Sequence, residues 1–269
     1  MLATVHKYFT VCRHNFTDAF SHRSELLLWL VLDSIPTIVI FFVWSSIFAG
    51  QAQINGFTLQ SAVQYSFLLL LIGHCITAHF ESHYAQVIRQ GKIDLYFTRP
   101  LSFLSYLFWI HFSKKIFYMI LLLPLSLLIA AGLFLSVNMT LPLPTLSQFI
   151  QLLPLLSFGF LMEFMISTLC VLLVFWFEGA NSLEHFKWLL TWLFSGAIIP
   201  RAFAPEWLVG ITNALPFKYM YAVPVEVYQG RASISVLDVL YMAVTLGILA
   251  FLCQHLWFHA RRQYTSAGG

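Results

Sequence analysis

The chain has 269 residues, of which 59% are hydrophobic and only 9% are charged, and its mean hydropathy is +0.80. Because soluble domains carry about a quarter charged residues, this composition excludes a soluble protein and indicates an integral membrane protein. The formal net charge of +3 is small, and in such a protein it reports topology rather than binding to nucleic acid.

Residues 1–25 are predicted to form an amphipathic helix in the plane of the membrane, on its cytoplasmic surface. The segment has no continuous apolar core followed by a small-residue cleavage site, which argues against a cleavable signal peptide. Its apolar and polar residues separate at helical spacing, as in an interfacial helix. A plain membrane anchor without a further role is the alternative. The apolar positions are Val5, Tyr8, Phe9, Cys12, Phe16, Ala19 and Phe20.

Residues 26–269 are predicted to form a transmembrane domain with six spanning helices, an all-α polytopic fold. A spanning helix needs about 20 mostly apolar residues. Such runs lie near residues 26–50, 59–80, 116–136, 149–175, 185–200 and 234–258. The fifth is the weakest, because it is short and its beginning is polar at Glu184, His185 and Lys187.

The distribution of Lys and Arg predicts the orientation of the chain, since basic residues accumulate on the cytoplasmic side of membrane proteins. With six spans and a cytoplasmic N-terminus, only Arg201, Lys218 and Arg231 of the 14 basic residues lie outside. This asymmetry requires an even number of crossings and places both termini in the cytoplasm. The inner basic residues are Lys7, Arg13, Arg23, Arg89, Lys92, Arg99, Lys114, Lys115, Lys187, Arg261 and Arg262.

Two carboxylates, Asp33 and Glu163, fall inside predicted spans, where an ionised group is costly unless it faces protein or water. Asp33 precedes Pro36, whose ring removes a helical hydrogen bond and is expected to bend or loosen the first span. Glu163 shares a stripe with Gly159 and Ser167, whose small side chains would let another helix approach closely. Each carboxylate either lines a substrate path or forms an interhelical hydrogen bond. We favour the structural role for Asp33 and leave both roles open for Glu163.

The stretch from Val87 to Leu101, within the segment 81–115, is predicted to form a cytoplasmic elbow. Gly91 tolerates positive φ and Pro100 disfavours the α region for the residue before it, so a helix should end near Arg89 and restart after the proline. Asp94 is placed to cap a short helix that follows. The elbow is either an ordinary basic loop or a docking site for another protein. The docking residues in the second interpretation are Arg89, Gly91, Lys92, Asp94, Arg99 and Pro100.

Neither a catalytic site nor a metal site is expected in this chain. On a helix, His79 and His83 would share a face while Glu81 points roughly 200° away, so the three could not hold one ion without unwinding. The sequence contains no G-x-S-x-G, no H-E-x-x-H and no G-x-x-x-x-G-K-[ST] motif. We therefore predict no enzymatic activity and no cofactor bound by the chain. Any nucleotide-driven work must come from a separate polypeptide.

Residues 201–230 are predicted to form two short helices, at 203–215 and 217–229, that dip into the outer half of the membrane. Irregular backbone is tolerated at that depth only against protein or a water-filled cavity. Prolines are expected to break the helices at positions 200, 205, 216 and 224. An outer loop packed on the bundle is the alternative. The candidate residues of this outer gate are Gly196, Pro200, Pro205, Pro216, Phe217, Pro224, Tyr228 and Gly230.

The order of these parts resembles the permease subunits of ABC type-2 exporters over nearly the whole chain. An amphipathic N-terminal helix is followed by a G-K-x-D elbow ending in R-P-L, and then by S-G-x-x-x-P, L-P-F and P-x-x-x-Y-x-G motifs before the last span. One departure is Arg201, since the family usually continues with an apolar residue after that proline. The matching residues are Gly91, Lys92, Asp94, Arg99, Pro100, Leu101, Ser195, Gly196, Pro200, Leu215, Pro216, Phe217, Pro224, Tyr228 and Gly230.

The resemblance implies a six-span permease of the bacterial cytoplasmic (inner) membrane that pairs with itself or with a sister permease. It also implies two separate ATPase subunits, which would bind ATP and Mg²⁺ and contact the elbow, while the short outer helices line the exit. An aromatic content of 17% favours a hydrophobic or amphiphilic cargo. The alternatives are a secondary transporter or channel, which would need ion-coupling residues and inverted repeats, and an intramembrane enzyme, which would need a convergent catalytic set.

Overall fold

The computed structural model describes residues 10, 12–13, 23–98, 102–140, 143–177, 180–198 and 200–263. Regular structure in these ranges is helical, apart from an isolated bridge between Ile54 and Phe57. Most of residues 1–25 lie outside the described ranges, so the interfacial helix stays a prediction. Arg99 and Pro100 of the elbow also lie outside them.

The helices are, in chain order, α1 (Arg23–Ile47), α2 (Leu59–Ile76), α3 (Glu81–Arg89), α4 (Asp94–Phe97), α5 (Phe103–Phe117), α6 (Leu123–Ser136), α7 (Leu146–Leu173), α8 (Ala180–Phe194), α9 (Glu206–Ala214), α10 (Ala222–Tyr228) and α11 (Val236–Gln263). A π-helical turn, Tyr118–Leu122, joins α5 to α6. Two 3-10 turns, Arg201–Phe203 and Pro216–Tyr219, lie on either side of α9.

Within the described residues, 3 helical stretches are long and apolar enough to cross a membrane: Leu59–Arg89, Leu146–Leu173 and Val236–Arg262. A fourth crossing results if Phe103–Leu121 and Leu123–Ser136, which meet at an angle of 41°, form one broken span. A shorter apolar stretch of 10 residues, Ile38–Ile47, ends α1, and α8 has 15 residues. The structure therefore confirms an all-helical membrane protein, whereas the predicted number of six spans is not confirmed.

The helix around the predicted third span begins well before residue 116. α5 starts at Phe103, after Pro100 as predicted, and includes Lys115. The Lys115 ammonium donates a hydrogen bond to the His74 carbonyl oxygen at 2.8 Å. A lysine whose charged head has such a partner can lie within a helix along the bundle. Pro124 lacks an N–H and crowds the preceding turn, which accounts for the π-helical turn and the bend.

α1 runs without a break from Arg23 to Ile47, although it contains Pro36. The expected loosening at Pro36 therefore does not interrupt the helix. Asp33 lies in this helix, but the placement of its side chain is outside what the structure describes. Its role, structural or functional, stays a prediction.

α7 is the central helix of the bundle and packs against α2, α3, α8, α10 and α11. Two hydrophobic clusters surround it. Ile76 and Met162 belong to the first cluster, and Ala78 and Phe164 belong to the second. Close contact carries this packing, because lipid removes the usual hydrophobic advantage of burial. Glu163 stands at the boundary between the two clusters.

The small-residue stripe of α7 faces α2. A Cβ added at Gly159 would lie 3.0 Å from the Ile76 Cγ2 atom, which is tighter than ordinary van der Waals contact. The helix that approaches this stripe is thus another helix of the same chain. A larger residue at position 159 would push α2 and α7 apart at the level of Glu163.

Candidate functional site

The main polar feature of the interior is an ion network of Glu81, Glu163 and Lys187, each only 2% exposed. The Lys187 Nζ atom lies 2.5 Å from Glu81 Oε1 and 2.7 Å from Glu163 Oε1. It also donates hydrogen bonds to Ser167 Oγ at 2.9 Å and to the Ala78 carbonyl oxygen at 3.3 Å. One ammonium therefore ties together α3, α7 and α8.

A short interruption between α2 and α3 supplies part of this network. α2 ends at Ile76, and Thr77 is extended, so the carbonyl of Ala78 is released from the helical ladder. This carbonyl accepts a hydrogen bond from Ser167 Oγ at 3.0 Å, besides the one from Lys187. The backbone N–H of Phe80 donates to Glu81 Oε2 at 2.9 Å. Non-helical backbone inside a membrane protein needs such internal partners.

α8 buries polar side chains and exposes apolar ones, which is the reverse of an amphipathic helix in a soluble protein. Lys187 and Thr191 are buried, whereas Phe186, Trp188 and Trp192 are exposed. This arrangement is stable where the outside of the helix meets lipid or another apolar protein surface. α8 covers much of the predicted fifth span but ends at Phe194, two residues before a glycine in the left-handed region.

A cavity of about 430 Å³ opens beside the ion network, between α2 and α8. Gly73 and Thr77 of α2, Trp188 and Trp192 of α8, and Glu163 contribute to its wall. Most of its lining is apolar, so the carboxylate is the exceptional group. The cavity is thus mostly apolar but borders the ion network through Glu163.

His79, Glu81 and Glu184 bring possible ligand atoms within 4.8 Å of one another. Glu184 also accepts a hydrogen bond from the Ser82 hydroxyl. The sequence pattern points to His83 rather than Glu184, because helical spacing relates only neighbours along one helix. The Lys187 ammonium already occupies the position beside Glu81, and its positive charge opposes a metal ion there. The arrangement is an ion pair flanked by a histidine.

The side of the elbow that faces the helical bundle is anchored to it. α3 ends at Arg89 as predicted, and Gly91 adopts a φ of +68°. Ile93 is fully buried, and the ring of Phe97 stacks on Trp257 of α11 with the ring centroids 5.7 Å apart. The turn is therefore fixed to the bundle rather than projecting freely.

The side of the elbow that faces away from the helical bundle carries two exposed cations, Arg89 and Lys92. Asp94 is the first residue of α4, and the N-cap position belongs to Ile93, which makes no side-chain cap. The predicted capping role of Asp94 is therefore wrong, because the helix begins one residue earlier than a cap at this position would require. Helix α5 begins at Phe103 with Ser102 as its N-cap.

The outer segment contains two short helices, α9 and α10, close to the two that were predicted. Pro205 is the N-cap residue of α9 and Pro216 opens a 3-10 turn, as expected for residues without an N–H. Pro224 does not break a helix, contrary to the prediction. It lies in the first turn of α10, where its missing N–H would have no intrahelical partner in any case.

The other predicted gate residues frame these helices. Gly196 has a φ of +78°, and its carbonyl accepts a hydrogen bond from the Tyr65 hydroxyl at 3.1 Å. Pro200 precedes the first 3-10 turn and Phe217 is half-buried in the second. Tyr228 ends α10, and Gly230 follows with a φ of +68°. Their role at an exit stays a prediction.

Arg201, the departure from the family pattern, is not a bare cation. Its Nε donates to Glu226 Oε1 at 2.9 Å, its Nη2 contacts the other oxygen of that carboxylate, and its Nη1 donates to Asn213 Oδ1 at 2.9 Å. The guanidinium therefore joins the first 3-10 turn to α9 and α10. A two-pronged pair of this kind is stronger than a single charged contact.

We expect Arg201→Ala and Glu226→Ala each to lower the unfolding midpoint, because either change leaves a half-buried charge without its partner. The double variant should be no worse than the poorer single variant, with a coupling energy of about 1 kcal/mol or more. Thermal unfolding of the purified chain and its variants in one mild detergent measures this. Strictly additive losses would contradict the coupling.

Residues 34–268 match the model of the ABC-2 family transporter proteins. No curated protein matches the chain at a significant level. The matched region contains the helices α2 to α11, with the ion network, the elbow and the outer segment. Such a permease implies association with an ABC ATPase. The chain therefore belongs to the ABC-2 family and is a membrane-embedded transport component.

Proposed function

We propose that the chain is the permease of an ATP-binding cassette exporter that moves a hydrophobic or amphiphilic cargo outwards across the bacterial cytoplasmic membrane. ATP and Mg²⁺ would be bound by separate ATPase subunits, since the sequence has no phosphate-binding loop. The asymmetry of basic residues supports cytoplasmic termini. A second permease chain, identical or different, would complete the transport path, as the family resemblance implies.

The observation that carries this proposal is the structure of the elbow, which is packed on the bundle on one side and basic on the other. Ile93 and Phe97 fix it to the bundle, while Arg89 and Lys92 remain exposed. A loop that served only to orient the chain would need the cations but not the rigid support. Support on one side and charge on the other suit the docking of a partner with exposed carboxylates.

A path from the elbow into the bundle supports a coupling role. α3 leads from the elbow back to Glu81, and it packs against both α7 and α8. Glu81 is joined through Lys187 to Glu163 on α7. Movement of the docked ATPase subunits would therefore displace α3 and reach the cavity between α2 and α8 through a continuous set of contacts.

We expect Arg89→Glu combined with Lys92→Glu to weaken copurification of the ATPase about tenfold or more, because like charges would then meet at the contact. The effect should shrink at high salt, since exposed charges are screened. Copurification of a tagged permease with the ATPase from its own gene cluster measures the association.

Arg261→Glu combined with Arg262→Glu is the matched control, because these side chains are also basic and exposed. Topology is followed in every variant by labelling single cysteines placed at Thr4 and Ser266 with an impermeant reagent. Loss of the ATPase from the elbow variant alone, with unchanged topology, supports docking. Full retention of the ATPase in that variant refutes it.

A further inference from the structure

The cavity beside the ion network holds a polar group that the bundle itself does not satisfy. Glu163 Oε1 is bonded to Lys187 at 2.7 Å. Its other oxygen, Oε2, is buried and has no hydrogen-bond partner among the described residues. Glu163 lines the cavity, so its carboxylate is the acidic group next to a ligand there. Leaving a buried carboxylate oxygen unpaired is costly, so the position calls for an explanation.

The ion network beside the cavity carries more negative than positive charge. One ammonium, that of Lys187, pairs with two carboxylates, those of Glu81 and Glu163. The ammonium of Lys115 is bonded to the His74 carbonyl oxygen instead. A bound cation would supply the positive charge that the network itself lacks.

Aromatic rings provide a second feature suited to a cation. Trp188 and Trp192 are stacked with their ring centroids 5.6 Å apart, and His79 lies 5.0 Å from Trp188. Both tryptophans line the cavity together with Tyr221. Tryptophan faces attract organic cations, and apolar walls hold the rest of such a molecule. The volume of about 430 Å³ suits a small organic molecule.

We propose that this cavity binds an amphipathic organic cation, with the Glu163 carboxylate as its counter-ion and the rings of Trp188 and Trp192 against its positive group. The inference rests on the proposed transport function, because it names the chemical class of the cargo. Lys187 holds the carboxylate in place through Oε1, next to the ligand. An organic anion of the same shape would be excluded by the excess of carboxylates.

Tetraphenylphosphonium and tetraphenylborate make a direct test, because they share size and shape and differ in the sign of their charge. Equilibrium dialysis with the purified full chain in maltoside micelles measures their binding, after subtraction of protein-free micelles. We expect saturable binding of the cation and none of the anion. The assay needs no ATPase, so its failure would leave the elbow experiment untouched, and failure of the elbow experiment would leave this one untouched.

Cationic groups of this kind also occur in the headgroups of choline lipids. Dialysis against phosphatidylglycerol nanodiscs, with and without added phosphatidylcholine, separates the two sources. Competition by phosphatidylcholine assigns the site to a lipid headgroup, and absence of competition assigns it to a free cation. Either result is consistent with a cation site.

Glu163→Gln keeps the shape of the side chain and should weaken binding of tetraphenylphosphonium at least about tenfold. Glu206→Gln, at an exposed glutamate of α9, is the matched control and should bind normally. Trp188→Leu leaves the ion network intact and should weaken binding several-fold, which decides the question if the Glu163 variant does not fold. Equal binding of cation and anion, or unchanged binding in whichever of these two site variants folds, would overturn the proposal.

Discussion

Replacing Lys187 by Met should remove most of the folded protein. The change leaves the carboxylates of Glu81 and Glu163 facing each other in the interior without the ammonium that joins them. Removal of one partner from a buried ionic network costs about 3–5 kcal/mol, since the remaining charge keeps its desolvation penalty. The yield of monodisperse protein in size-exclusion chromatography and the unfolding midpoint measure the loss.

A variant of the network without charges distinguishes the effect of an unpaired charge from the effect of altered packing. Combining Lys187→Met with Glu81→Gln and Glu163→Gln removes all three charges, and we expect it to recover much of the lost stability. Lys92→Met, at an exposed lysine of the elbow, is the control for the loss of a positive charge and should fold normally. If Lys187→Met alone folded as well as the wild type, the network would not hold the bundle together.

Gly196→Ala should destabilise the outer half of the bundle by about 2–5 kcal/mol, the sum of a backbone cost and a steric cost. The residue has a φ of +78°, and an added Cβ would lie 2.8 Å from the Cβ of Ala222. No flexible side chain can move aside there. The N–H of Ala222 donates to the Ser195 carbonyl at 3.0 Å, so any shift disturbs the start of α10.

Gly56 provides the matched control, because it has a similar φ of +75° and nothing within 4 Å of an added Cβ. Gly56→Ala should cost about 1 kcal/mol from the backbone alone. Adding Ala222→Gly to Gly196→Ala removes the steric part and should bring its cost down towards that of Gly56→Ala. Equal unfolding midpoints for Gly196→Ala and Gly56→Ala would show that the close approach does not matter.

Local backbone features could be predicted from the sequence, because they depend on one or two residues. The end of α3 at Arg89 follows from a glycine that favours positive φ at position 91. The two short outer helices follow from the spacing of prolines such as Pro205 and Pro216. Pro224 shows the limit, since a proline in the first turn of a helix is tolerated and its neighbours decide which case applies.

Contacts between distant residues could not be predicted in the same way. The sequence predicts a cytoplasmic position for Lys187, because a basic residue before an apolar run ordinarily lies outside the membrane. Its partners Glu81 and Glu163 are far away in the chain, and no spacing rule links them. The isolation of Glu163 among apolar residues was the available signal, since such a charge needs a partner of opposite sign. The same holds for Lys115, because the His74 carbonyl that accepts its hydrogen bond belongs to another helix.

The order of the ion network along the chain has a consequence for synthesis. α7 leaves the ribosome before α8, so Glu163 enters the bilayer ahead of the lysine that neutralises it. α8 has only 15 residues and carries Lys187, and a lysine at the centre of a helix adds about 2.5–3.5 kcal/mol to its insertion. If α8 crosses the bilayer as the predicted fifth span, it has to be captured by carboxylates already in place. We expect nascent chains that stop before residue 187 to leave Glu163 without its ammonium partner.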